Sequence, residues 1–239
     1  MDIMNEPEKY IWSTLIAHLI DRTAEYYCAG DACLTGAGGF SKDAKFWWFL
    51  QWPKEVISKT LKEFNIRVRL DKENFISINL LEYATILINY AGVSQSLEIG
   101  RIAAKHSYPV THIDSDNMSS ISWTKKAATS TVKSKALTRV FAALTLNNPL
   151  GLSTGHIQGK LNDLPDLISR INSTPTSQTF SQILQKYPWL NSCHRFLPSQ
   201  ELVSHLLSAF FQGQAPEMVS ITNLGHFVPA PDIGWNGVL

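Results

Sequence analysis

The chain has 239 residues, of which 44% are hydrophobic and 17% are charged, and its formal net charge is +1. This composition is typical of a globular protein with a buried core. It lacks the basic excess of a protein whose main role is to hold nucleic acid. The acidic N-terminus is unlike a signal peptide, and no apolar run reaches the ~20 residues that span a bilayer. The three cysteines show no paired metal-ligand spacing, and their odd number argues against a disulfide framework. We therefore expect an intracellular protein, of cytoplasm or nucleus, without a membrane partner.

In chain order, the first predicted element is a helix from Pro7 to Arg22, where apolar residues recur at helical spacing. A short apolar strand follows at Tyr26–Ala29. The glycine-rich stretch from Gly36 to Gly39 lacks the Lys-Ser/Thr pattern of a nucleotide-binding loop. It is instead predicted to form a tight hairpin into a second strand near Phe40, because small residues let backbones approach closely. The aromatic segment Phe46–Trp52 is the third predicted strand.

Beyond these strands, helical and strand patterns alternate along the chain. The predicted elements are a helix over Leu80–Tyr90, a strand over Tyr108–Ile113, helices over Met118–Thr124 and Ala136–Leu146, a strand over Leu152–Ile157, and a helix over Asp163–Ile171. Strands followed by this alternation predict an α/β protein with a mixed sheet.

The composition changes after Asn172, where Ser173–Ser177 resembles a linker. Two amphipathic helices are predicted beyond it, over Phe180–Tyr187 and Gln200–Phe211, with a turn at Phe196–Ser199 and loop-like chain from Gly213. We therefore predict a main domain of residues 1–172, including the N-terminal helix 7–22. A helical or irregular C-terminal extension of residues 173–239 follows it.

Four acidic residues occupy settings that suit a metal-binding site: Asp31, Glu82, Asp116 and Asp166. In the predicted elements they lie at a strand end, in the first turn of a helix, at a strand end and at a helix start. This arrangement can bring four carboxylates together. Such a group of hard oxygen ligands could hold a pair of Mg²⁺ ions. Asp114 also lies at the fourth strand's end and is a rival to Asp116 as the third ligand.

The segments around these acids resemble the ribonuclease H domain of retroelement reverse transcriptases. The resemblance is carried by Gly30-Asp31-Ala32, Gly38-Gly39-Phe40, Leu81-Glu82, Asp116-Asn117 and the segment from Ile157 to Arg170. The last segment is the most specific, because retroelement versions resemble Ile-Pro-Gly-x-x-Asn-x-x-Ala-Asp-x-Leu-Ser-Arg. The resemblance covers roughly residues 26–170.

The resemblance implies a ribonuclease H-like fold, with a five-stranded mixed sheet flanked by helices. It also implies that Asp31, Glu82, Asp116 and Asp166 hold two Mg²⁺ ions, for which Mn²⁺ can substitute. The implied activity is hydrolysis of the RNA strand of an RNA–DNA hybrid. The implied partners are that hybrid and an upstream reverse transcriptase domain of the same polyprotein.

The chain departs from the family pattern near the last acidic residue. Pro165 stands where Ala is usual, and Pro is tolerated in a first helical turn. Gln158 replaces the usual Pro. The loop before Asp166 carries no His, whereas some cellular relatives place one there for proton transfer or product release. His156 precedes the loop and is interpreted as a strand residue.

Polar residues near the predicted site are candidates for substrate contact. Since a hybrid is recognised by the shape of its minor groove and by its 2′-hydroxyls, we assign this role to Asn117, Ser119, Ser120 and Asn162. The basic residues Lys125 and Lys126 are candidates for binding backbone phosphates.

The sequence is also compatible with two other functions. The first is a catalytically inactive ribonuclease H-like module, derived from such an element, that binds nucleic acid or protein. The low net charge and the altered loop favour it, and the intact set of four acids opposes it. The second is another phosphoryl-transfer enzyme, such as an exonuclease or integrase, whose acidic residues have different spacings.

Overall fold

The computed structural model describes residues 23–65, 75–98, 109–126, 129, 131–146, 148, 150–171, 179–214 and 221–229. The helix expected over residues 7–22 lies outside these ranges. No helix within them is both long enough and apolar enough to cross a lipid bilayer.

The described residues form one mixed sheet of seven strands in the spatial order β5-β4-β1-β2-β3-β6-β7. The strands are β1 (Tyr26–Ala32), β2 (Gly36–Ser41), β3 (Phe46–Gln51), β4 (Val110–Ser115), β5 (Gly151–His156), β6 (His194–Pro198) and β7 (Gly225–Pro229). β1 to β3 form an antiparallel meander. β4 is parallel to β1, β5 to β4, and β6 to β3, whereas β7 is antiparallel to β6. β1 therefore lies inside the sheet, between β4 and β2.

Helices cover both faces of this sheet. They are α1 (Lys54–Asn65), α2 (Ile78–Glu98), α3 (Met118–Lys126), α4 (Val132–Leu146), α5 (Asp163–Ser169), α6 (Phe180–Lys186) and α7 (Gln200–Gln212), with short 3-10 helices at Gly159–Leu161 and Pro188–Ser192. α2 is buried around almost its whole circumference, because it lies between the sheet on one side and α3 and α4 on the other. A helix that is apolar on all sides is expected in such a central position.

Strand β3 divides its side chains between two hydrophobic clusters. Phe46, Trp48 and Leu50 pack in the large core with α2, whereas Trp47 and Phe49 face a smaller cluster under α5 and α6. Because successive side chains of a strand point to opposite faces, one aromatic segment supplies both layers. Trp47 stacks on Phe180 of α6, with ring centroids 4.1 Å apart.

The mixed α/β sheet flanked by helices is confirmed, but it has seven strands and not the five expected. Strands β1 to β5 come from the predicted main domain, and the predicted extension supplies two more. The turn predicted at Phe196–Ser199 is wrong at its first residues, because His194–Pro198 forms β6 and pairs with β3. Helices α6 and α7 lie where the two extension helices were predicted.

Candidate metal centre

Asp31 lies near the end of β1 and is 6% exposed. Its Oδ2 accepts a hydrogen bond of 2.7 Å from the hydroxyl of Ser169 in α5. Burial raises the pKa of Asp31 to about 6, and the negative charges of Asp166 and Asp116 add to that rise. The Ser169 hydroxyl acts in the opposite direction, because it stabilises the ionised form.

Glu82 reaches the same place from α2. The helix begins at Ile78, so Glu82 lies in the second turn and the prediction of a first-turn position is wrong. The side chain is 4% exposed. Its Oε1 accepts a 3.0 Å hydrogen bond from the Ala32 backbone N–H, whereas Oε2 is buried and has no partner at hydrogen-bonding distance among the described residues. Burial, followed by the charge of Asp31, raises the pKa of Glu82 to about 9. The Ser115 side chain lies near enough to counteract part of the rise in the pKa of Glu82.

Asp116 completes a group of three carboxylates. It follows β4 directly and is partly buried. One oxygen from each of Asp31, Glu82 and Asp116 lies within 4.8 Å of the other two. Burial is the largest cause of the raised pKa of Asp116, and the charge of Asp166 contributes. Three segments far apart in sequence therefore bring their carboxylates to one point.

Asp166 lies beside this group without belonging to it. It is in the first turn of α5, and its charge raises the pKa of both Asp31 and Asp116. Its Oδ1 accepts hydrogen bonds from Arg170 Nε at 2.8 Å and Arg170 Nη2 at 2.7 Å. The Asp166 side chain is 42% exposed. The structure therefore brings three predicted acids together and places the fourth next to them with an arginine partner.

Asp114 has a different environment from Asp116. Its Oδ1 lies 3.2 Å from Nε2 of His112, and Nδ1 of the same ring lies 2.8 Å from Ser153 Oγ. Asp114 is not in the group of three carboxylates. The geometry therefore favours Asp116 over Asp114 as the third metal ligand.

The residues at the start of α3 stabilise the helix itself. The Asn117 side chain accepts hydrogen bonds from the N–H groups of Ser119 and Ser120, both at 3.0 Å, which is typical of an N-cap residue. Its Nδ2 donates to Asn79 Oδ1 at 2.7 Å. Ser120 is 0% exposed, and its hydroxyl donates to the Asn117 carbonyl. Ser120 is therefore not accessible to a substrate, and its predicted role is wrong.

The other predicted substrate residues, Asn162, Lys125 and Lys126, differ in their exposure. Asn162 is 1% exposed, and its Nδ2 donates to the Gly30 carbonyl at 3.1 Å. It therefore ties the start of α5 to β1, and the prediction of substrate contact is wrong for this residue too. Lys125 and Lys126 are exposed in the last turn of α3. They are therefore available for phosphate contacts.

Sequence reasoning gave no role to two residues that the structure puts beside the acids. Ser169 and Arg170 are consecutive, and they contact Asp31 and Asp166 respectively. The Ser-Arg pair in the last motif was a signal, but only the fold shows which acid each residue contacts. The exposed His156 is also close enough to Asp116 for its charge to counteract the raised pKa of that carboxyl.

The chemistry of the cluster fits a hard divalent cation. Its donors are carboxylate oxygens, which Mg²⁺ and Ca²⁺ prefer. Glu82 gives a more specific indication. Its Oε2 has no partner at hydrogen-bonding distance among the described residues, and burial and the charge of Asp31 disfavour the ionised carboxylate. A bound cation would offset this cost. The group formed by Asp31, Glu82 and Asp116 could therefore hold a metal ion.

No family model, no curated protein and no solved structure matches this chain.

Proposed function

We propose that this protein is a ribonuclease H that cleaves the RNA strand of RNA–DNA hybrids by two-Mg²⁺ hydrolysis of a phosphodiester bond. We further propose that it works as one domain of a retroelement reverse transcriptase, whose upstream polymerase domain is its partner. The observation that carries the proposal is the convergence of Asp31, Glu82 and Asp116 within 4.8 Å. Their segments are those that resemble the family, and Asp166 adds a fourth charge beside them.

The assigned roles follow from the position of each side chain. Asp31, Glu82 and Asp116 supply oxygens to the ions, and Asp166 is the fourth ligand once it leaves Arg170. These residues would hold Mg²⁺, which would supply the chemistry of water activation and stabilisation of the leaving 3′ oxygen. Lys125 and Lys126 attract the phosphates of the hybrid, since exposed lysines on one helix end provide local positive charge in a chain with a net charge of only +1.

The catalytically inactive binding module is the second candidate, and one observation favours it. Arg170 occupies the Asp166 carboxylate with two hydrogen bonds, so this acid is not free for a metal. The side chains of Arg170 and Asp166 are 55% and 42% exposed, and exposed ion pairs contribute only about 0–1 kcal/mol. A divalent cation can therefore displace the arginine, and for this reason the active enzyme is our first proposal.

A cleavage assay with matched variants distinguishes the two candidates. The purified chain, in excess over an end-labelled RNA–DNA hybrid, is incubated with Mg²⁺ or Mn²⁺. Protein excess ensures that weak binding by an isolated domain does not hide cleavage. We expect the parent to cut the RNA strand, and Asp31→Asn and Asp166→Asn to be inactive. Asp114→Asn is the matched control and keeps its activity, because Asp114 contacts His112 outside the group.

The possible results of this cleavage assay distinguish the two candidate functions. Hybrid binding without cleavage by the parent in either ion would support the inactive module. Cleavage that persists in Asp31→Asn would show that the activity does not come from this site, and it would overturn the proposal.

A further inference from the structure

The side chain of Ser169 donates a hydrogen bond to the carboxylate of Asp31. Ser169 is the last residue of α5 and is 0% exposed. Its hydroxyl lies 2.7 Å from Asp31 Oδ2 and 3.0 Å from the Asp166 carbonyl oxygen. Asp31 is 138 residues away in sequence. One hydroxyl thus connects the helix that carries Asp166 to the central carboxylate of the cluster.

The glycines of β2 make this contact possible. A Cβ on Gly38 would come within 2.4 Å of Ile168 Cγ2 and 2.9 Å of the Ser169 nitrogen, and a Cβ on Gly36 would come within 2.8 Å of the Ser169 carbonyl oxygen. No other residue type fits at such distances without displacing α5. The glycine-rich strand therefore lets the end of α5 lie directly against the sheet, where Ser169 can reach Asp31.

A second buried helical serine, Ser134 in α4, can be compared with Ser169. It is also 0% exposed, and its hydroxyl lies 3.1 Å from the carbonyl oxygen and 2.6 Å from the hydroxyl of Thr131, three residues earlier. Ser169 has the same option with the Asp166 carbonyl. Only Ser169 additionally faces a carboxylate of the acidic group. Its distinguishing feature is therefore its effect on Asp31.

We propose that Ser169 is a positioning residue for the metal site, and that it fixes the orientation of the Asp31 carboxylate through this hydrogen bond. The inference rests on the proposed function, since it assumes that Asp31 is a metal ligand. A carboxylate whose orientation is already fixed by a hydrogen bond loses little rotational freedom when it binds an ion. Removal of such outer partners typically lowers metal affinity about 10-fold to 100-fold.

The test measures Mn²⁺ affinity directly, from the electron paramagnetic resonance signal of free Mn²⁺ during titration of the full chain. The variants are Ser169→Ala and Ser169→Cys, with Ser134→Ala as the matched control for loss of a buried helical hydroxyl. We expect both Ser169 variants to bind Mn²⁺ at least about 10-fold more weakly than the parent, and Ser134→Ala to bind as the parent does. Melting temperatures without metal report on folding, and Ser169→Cys keeps the size of the side chain if the alanine variant does not fold.

Each outcome decides a different question. Weaker binding in both Ser169 variants, with a parent-like melting temperature, supports the inference. Parent-like Mn²⁺ affinity in a folded Ser169 variant overturns it and leaves the proposed function intact. If the parent binds no Mn²⁺, the proposed function fails, and the role of Ser169 fails with it.

Discussion

Replacement of Glu82 by Gln should stabilise the metal-free protein at neutral pH, although it removes a proposed metal ligand. Burial and the nearby Asp31 charge raise the pKa of Glu82 from its ordinary 4.5 to about 9. The folded protein therefore keeps a proton that the unfolded chain releases. For a carboxyl group shifted in this direction, the free energy of unfolding falls as pH rises from 4.5 towards 9.

The size of the stabilisation follows from the pH interval between the ordinary and the raised pKa of Glu82. Each pH unit inside it costs about 1.4 kcal/mol, so the interval from 4.5 to pH 7 corresponds to about 3 kcal/mol. The Gln side chain is neutral at every pH and can still accept the hydrogen bond from the Ala32 N–H. The rise in the pKa of Asp31 affects parent and variant alike, so it largely cancels in the difference.

The assay is urea unfolding in a metal chelator at several pH values between about 5 and 8. We expect the stability difference between Glu82→Gln and the parent to grow with pH, by up to about 1.4 kcal/mol per unit. Glu55→Gln on the exposed side of α1 is the matched control for exchange of an exposed carboxyl group for an amide. A difference that is constant with pH, or a variant less stable than the parent at pH 8, would refute the reasoning.

Three further predictions concern the metal, the core and the basic surface. Mg²⁺ should raise the melting temperature of the parent, because an ion that binds only the folded state stabilises it, and Asp31→Asn should abolish the rise; an unchanged parent across a wide titration would argue against the site. Trp48→Phe should lower the free energy of unfolding by about 1–3 kcal/mol, because Trp48 Nε1 donates a buried 2.7 Å hydrogen bond to Asn89; urea unfolding equal to the parent would contradict this. Replacing Lys125 and Lys126 together by Glu should weaken hybrid binding and reduce its salt dependence, with an unchanged melting temperature, and an unaltered binding constant would remove both from the interface.

The positions of the first five strands along the chain could be foreseen because their signals are local. Apolar and β-branched runs predicted strands at Tyr26–Ala29, Tyr108–Ile113 and Leu152–Ile157, and the structure has β1, β4 and β5 there with ends shifted by at most three residues. β6 was missed because its partner, β3, is remote in sequence and its last residue is Pro198, which suggested a turn. Its pairing depends on tertiary packing and not on a local pattern.

The sequence predicted the acidic residues of the candidate site but not the environment of the polar residues around them. The motif segments identified Asp31, Glu82 and Asp116, which converge. They could not show that Ser120 and Asn162 are buried. Polar residue type favours a surface role, but here each side chain satisfies backbone groups inside the protein, as buried polar groups must. The Ser-Arg pair of the last motif could not show that Ser169 contacts Asp31.

The pairing of β6 with β3 has a consequence for the solubility of the chain. β3 has the sequence Phe-Trp-Trp-Phe-Leu-Gln, an uncharged aromatic segment with high β propensity and no proline, which is the composition of aggregation-prone strands. β6 pairs with Phe46 and Trp47, at the start of the otherwise open hydrogen-bonding side of β3. Cleavage of the chain before β6 would turn β3 into an exposed edge strand that can pair with other molecules. We therefore expect fragments that end near Ile171 to self-associate, even if they retain all four acidic residues.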